Sequence, residues 1–102
     1  MERKKSKFIT RIYRIQSEEE ARKILEAVKK ENWKANHNCS AFVLGERSEI
    51  TRSSDDGEPS GTAGAPMLEV LVKRDLTNIL AVTTRFFGGI KLGGGGLIRA
   101  YS

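Results

Sequence analysis

The run Lys91-Leu-Gly-Gly-Gly-Gly-Leu-Ile-Arg99 sets four consecutive glycines, Gly93, Gly94, Gly95 and Gly96, ahead of helically spaced Leu97, Ile98 and Tyr101. Successive glycines at a helix start can point their N–H groups into one concavity, and a phosphate or carboxylate is its natural occupant. Arg85 and Lys91 flank Gly88-Gly89, and Arg99 falls within the first helical turns, so each can supply a countercharge. The run matches neither nucleotide-binding glycine signature: Lys91 precedes the glycines, and no acidic residue follows at the required offset. Close packing of a last helix against a sheet is the alternative use of the same residues.

A second glycine-rich stretch, Ser53-Ser-Asp-Asp-Gly-Glu-Pro-Ser-Gly-Thr-Ala-Gly-Ala-Pro66, carries Asp55, Asp56 and Glu58 among Gly57, Ser60, Gly61, Thr62 and Gly64. Three carboxylates so close could gather a hard cation such as magnesium, or cap turns; without calcium-loop spacing, turn formation is the stronger reading. His37 and Cys39, two apart on a strand, point to one side. The chain has no other histidine or cysteine to complete a zinc site, so they read as a buried polar pair. Phe86 and Phe87 could give one ring to the core and one to solvent. An exposed ring beside Arg85 and Lys91 would stack on an unpaired base, as would Tyr13 near the basic start; two core rings are the alternative. Trp33 reads as closing the first helix onto the domain. No motif calls for a metal or a cofactor.

These residues need elements to hold them. Lys7 to Gln16 reads as a strand, and Ser17 with Glu20 forms a capping box opening a helix from about 18 to 31, with an apolar stripe at Ala21, Ile24, Leu25 and Val28. Asn36 to Leu44 reads as a strand with Cys39, Ala41 and Val43 inward, and Ile50 to Arg52 as a short edge strand returning after Gly45. Pro66 suits the first turn of a second helix, Leu76 to Thr84 is a central strand, and a third helix begins near Leu97. This order predicts an α+β two-layer sandwich, a mixed sheet with helices on one face.

The 102 residues support one domain, and the net charge of +5 is uneven. Arg3, Lys4, Lys5, Lys7, Arg11 and Arg14 stand against Glu2 alone at the start, while Arg85, Lys91 and Arg99 meet no acid at the end. If the two ends meet, the patch would focus anionic partners; a solubilising surface with a frayed N-terminal tail is the plainer alternative. No apolar run approaches the ~20 residues of a membrane helix, and the lone Cys39 agrees with a reducing compartment, so a cytoplasmic protein is expected.

Together "SSDDGEPSGTAGAP", "TRFFGGIKLGGGGLIRAYS" and "HNCSAFVLG" resemble the IMPACT (YigZ-like) family over roughly residues 7 to 102. The resemblance implies that family's N-terminal domain, with a fold like the second domain of ribosomal protein S5. It also implies a chain cut inside its last helix and lacking a ferredoxin-like second domain. The family's signatures fall on Asp55 to Gly64 and on Thr84, Arg85, Phe87, Gly88, Gly89, Lys91, Gly93, Gly95, Gly96 and Arg99 to Ser102, and the two segments are expected to meet at one end of the sheet and position an anion. The function this implies is a non-enzymatic RNA- or ribosome-binding module linked to translation regulation. An enzyme holding a nucleotide or phosphorylated small molecule, and a protein-interaction module, are the alternatives.

Overall fold

A computed structural model describes residues 1–102. The chain runs β1 (Glu2–Arg3), β2 (Ser6–Arg14), α1 (Glu18–Glu31), β3 (His37–Leu44), β4 (Ile50–Ser54), α2 (Gly64–Lys73), β5 (Ile79–Phe86) and α3 (Gly93–Tyr101). The strands form one sheet in the order β1-β2-β5-β3-β4. Every pairing is antiparallel. The expected mixed sheet is therefore corrected: β5 enters between β2 and β3 and opposes both, so the two parallel strands never touch. No helix is long and apolar enough to cross a membrane.

Pleat alternation divides the core in two. Cys39, Ala41, Val43 and Ala81 face Met67 and Leu71 of α2 and Leu97, Ala100 and Tyr101 of α3. The α2 and α3 helices thus share one face, as expected. The opposite side chains, Leu44, Leu80 and Val82, pack with Ala21 and Val28 of α1, which lies against the other face. Cover on both sides explains why β3 is buried along both alternate sets rather than the one expected.

The α1 helix begins where its local signals place it: Ser17 Oγ accepts the Glu20 N–H at 3.1 Å. Its bounds are those expected. The basic start, read as a frayed tail, is instead a hairpin. Lys4 (φ 46°) and Lys5 (φ 68°) make a two-residue turn between β1 and β2, and the Met1 ammonium donates to the Phe8 carbonyl at 2.9 Å. Positive φ costs lysine energy, and no glycine or asparagine marks the turn.

The α2 helix starts before Pro66 because Asp55 caps it from a distance. Asp55 Oδ1 accepts from Ala63 N (3.2 Å) and Gly64 N (2.8 Å), and Oδ2 from Gly61 N (2.9 Å). Burial pushes the Asp55 carboxyl upward, but these three N–H donors outweigh it and hold the group below its ordinary value. The capping contribution is therefore present above that ordinary value and lost on acidification through the lowered one.

Candidate functional site

The two glycine-rich segments meet at one end of the sheet. Asn36, His37, Glu58, Pro59, Arg85, Phe87, Lys91, Gly93 and Gly94 line a common cleft of about 480 Å³. Beneath it, β5 carries Arg85 opposite His37 of β3 and Phe8 of β2, so three strands converge under the cleft floor.

Arg85 and Glu58 form that floor. Arg85 is 5% exposed and Glu58 7%. Arg85 Nη1 donates to both carboxylate oxygens of Glu58, at 2.8 and 2.7 Å, and Nη2 to Ser6 Oγ at 3.3 Å. Tyr101 Oη, reaching down from α3, donates to Glu58 Oε2 at 2.6 Å, and His37 Nε2 stands 3.4 Å from Oε1. Arg85 Nε alone has no partner. A loop carboxylate, a strand guanidinium and a helix hydroxyl are thereby tied into one unit. Burial pushes the Tyr101 phenol up, and its hydrogen bond to Glu58 pushes the same way.

Arg85, expected to meet an external phosphate, turns inward to Glu58. Lys91 and Arg99 remain exposed: Lys91 lines the cleft, and Arg99 shares a neighbouring groove with Arg3, Lys4 and Gly96. The α3 start stands between the two grooves with no side chain capping it. Its first-turn N–H groups have no intrahelical partner, so they are open to an anion. Gly88 lies against the Lys5 backbone, and Gly89 takes φ 88° with open space around it.

The three loop carboxylates do not converge on a shared cation site. Asp55 caps α2, Asp56 accepts from Asn38 N at 2.7 Å and pairs with Lys29 at 3.4 Å, and Glu58 is held by Arg85. Turn formation, the stronger expectation, is what the loop adopts: Gly57 (φ 90°) and Gly61 (φ 78°) bend the loop, Thr62 Oγ1 donates to the Pro59 carbonyl at 2.5 Å, and Ser60 is exposed.

Of the aromatic candidates, Phe87 is exposed at the cleft mouth with the Arg85 guanidinium 5.4 Å from its ring centre. Phe86 is half-buried. Tyr13 pairs with Leu80 at the far end of the sheet and packs on the α1 side, away from the cleft. Trp33 does not close α1 onto the domain, for it is 74% exposed. Asn36 is a positioning residue that sequence reasoning missed. Its N–H donates to the Arg85 carbonyl at 3.0 Å and its Oδ1 accepts the Phe87 N–H at 2.7 Å, fixing the cleft wall. Only the β3–β5 register reveals that role.

Cys39 and His37 share a face, as expected, and neither is free. His37 Nδ1 lies 2.9 Å from the Asp56 carbonyl, and Cys39 Sγ donates to the Asp55 carbonyl at 3.1 Å. Burial pushes the Cys39 thiol up to about 12, with nearby carboxylates adding to the rise and Tyr101 opposing it. At pH 8 only about one thiol in ten thousand is then ionised, so iodoacetamide should label native protein very slowly and urea-unfolded protein readily. Mass spectrometry of timed samples reads this; rapid native labelling would mean the site opens locally. Because an unfolded thiol ionises near 9.0, this group's contribution to stability is intact below that pH and falls between 9.0 and about 12.

The comparisons agree with this architecture. Residues 4–102 match the Impact N-terminal domain. The chain is 60% identical over 97 residues to IMPACT family member YvyE of Bacillus subtilis, covering 95% of this chain and 45% of that protein. It is 46% identical over 100 residues to IMPACT family member YigZ of Escherichia coli, covering 96% and 49%. A crystal structure of a protein described as hypothetical superposes with a TM-score of 0.94 at 45% identity, over 99% of this chain and 50% of the other. The two-domain translational regulator Yih1 superposes with a TM-score of 0.62 at 29% identity, over 94% and 39%. The chain thus spans about half the length of the curated relatives it matches. By sequence and by fold it belongs to the IMPACT family through the Impact N-terminal domain.

Proposed function

We propose that this chain is a non-enzymatic RNA-binding module of translation regulation, acting on free or ribosomal RNA in the cytoplasm. The observation that carries the reading is the juxtaposition of the two basic termini around the uncapped start of α3. Arg3, Lys4 and Arg99, together with Glu2, line the groove on the Gly96 side, and Lys91 lines the cleft on the Gly93 and Gly94 side. An RNA phosphate on the α3 amides would be within reach of flexible cations from both sides. Yih1 is described as a translational regulator, and its likeness to this chain supports the same broad role. A likeness to the second domain of ribosomal protein S5, and a place as the N-terminal half of a longer protein with a ferredoxin-like second domain, belong to the same reading. The enzyme alternative loses its main support, since Asp55, Asp56 and Glu58 are each engaged elsewhere.

The test is a titration of fluorescently labelled RNA, followed by anisotropy, from ~50 to ~200 mM salt. Affinity should fall steeply, with a logarithmic slope of several units, and Lys91→Ala or Arg99→Ala should each lower that slope by about 1. Absence of binding at ~50 mM salt would sink the reading and favour an acidic protein partner for the same amides.

A further inference from the structure

Three residues before Asn36 of the cleft wall stands an aromatic side chain that packs into neither core cluster. Trp33 is 74% exposed, touches neither core cluster and sits in the short connection from α1 to β3. The Lys34 ammonium lies 5.3 Å from its ring centre. Phe87 repeats the arrangement, 45% exposed with the Arg85 guanidinium 5.4 Å away. Each ring thus has a cation beside it and surface left open.

Asn36 holds one ring by hydrogen bonding and lies close in sequence to the other. Asn36 is hydrogen-bonded to the backbone of both Arg85 and Phe87. Trp33 stands three residues before Asn36, so it lies within about 10 Å of that residue even if the chain is fully extended. The surroundings are cationic: Lys30 and Lys34 flank Trp33 against Glu31, Lys29 is paired with Asp56, and Lys91 stands on the Phe87 side of the cleft. An apolar protein segment would gain little from such a rim. A polyanion with flat, unpaired aromatic groups fits both features.

We infer that Trp33 and Phe87 form a stacking platform for unpaired bases, so that the ligand is single-stranded RNA. This rests on the RNA reading above and narrows it. A duplex buries its base faces within its own stack and offers these rings nothing to cover. The lysines and the α3 amides take phosphates while the rings take bases.

Trp33 is the only tryptophan, so its emission reports on the platform alone. The protein is titrated with an oligoadenylate of about ten nucleotides, a duplex of equal length, and inorganic polyphosphate. Saturable quenching by the single strand, and by neither of the others, is the expected result. Measured by anisotropy, Trp33→Ala and Phe87→Ala should each weaken single-strand affinity about tenfold or more, with Trp33→Phe retaining most of it. Trp33 is exposed, so its replacement leaves the core intact, and circular dichroism of each variant checks this. RNA binding with unchanged emission and an indifferent Trp33→Ala would overturn the platform and leave the RNA reading standing. So would equal binding of duplex and single strand. Failure of every RNA to bind would overturn both.

Discussion

Replacing Glu58 with alanine is expected to cost about 3–5 kcal/mol of folding stability, a large share of what a domain this size possesses. The substitution strips Arg85 of its charge partner at a depth where water does not reach, and it removes the acceptor of the Tyr101 hydroxyl. Ser6 Oγ would be the only side-chain acceptor left to the guanidinium. Glu58→Gln should cost less, because an amide oxygen can still accept from Tyr101. A double replacement, Glu58→Leu with Arg85→Met, should recover much of the loss by removing the buried charge instead of orphaning it. Urea denaturation of the four proteins gives the comparison. A loss below about 1 kcal/mol for Glu58→Ala would mean that Arg85 swings out to solvent, returning it to the set of phosphate ligands. Otherwise Arg85 positions the cleft, and contact with the ligand falls to Lys91, Arg99 and the hairpin lysines.

The part of this arrangement legible in the sequence was local. The bounds of α1 follow from Ser17, three acidic residues in the first turn and an apolar stripe, signals that act within one turn of one another. The meeting of the two glycine-rich segments was expected from resemblance, and the shared cleft of Glu58 with Gly93 and Gly94 realises it. The sheet order was not legible. Insertion of β5 between β2 and β3 depends on contacts separated by most of the chain, and it is this register that turns Arg85 from a surface cation into a buried one. Asp55, Asp56 and Glu58 illustrate the same limit only in part. Their proximity fits turn capping better than a shared cation, and so it proves: Asp55 caps the nearby start of α2, while Asp56 and Glu58 reach partners far away in the chain. The β1–β2 hairpin was invisible for another reason: lysines occupy a turn whose positive φ values favour glycine or asparagine.

Two glycines of the C-terminal segment should respond to alanine with opposite signs. At Gly88 a Cβ would lie 2.1 Å from the carbonyl carbon and oxygen of Lys5. Those are backbone atoms of a tight turn and cannot rotate away, so Gly88→Ala should cost about 2–3 kcal/mol or pry the β1–β2 turn from the end of β5. At Gly94 a Cβ would meet nothing within 4 Å. Helix propensity then acts alone, and Gly94→Ala should stabilise the protein by up to about 1 kcal/mol. Internal packing gives no reason for glycine at that position; on the proposed RNA reading, close approach of a phosphate to the α3 amides would supply one. The combination makes a sharp assay. Thermal denaturation should show Gly94→Ala melting higher than the parent while its RNA affinity falls, because the added methyl projects where a phosphate would rest. A variant that is both more stable and equally tight-binding would remove the start of α3 from the contact surface and leave binding to the lysines and the aromatic rings.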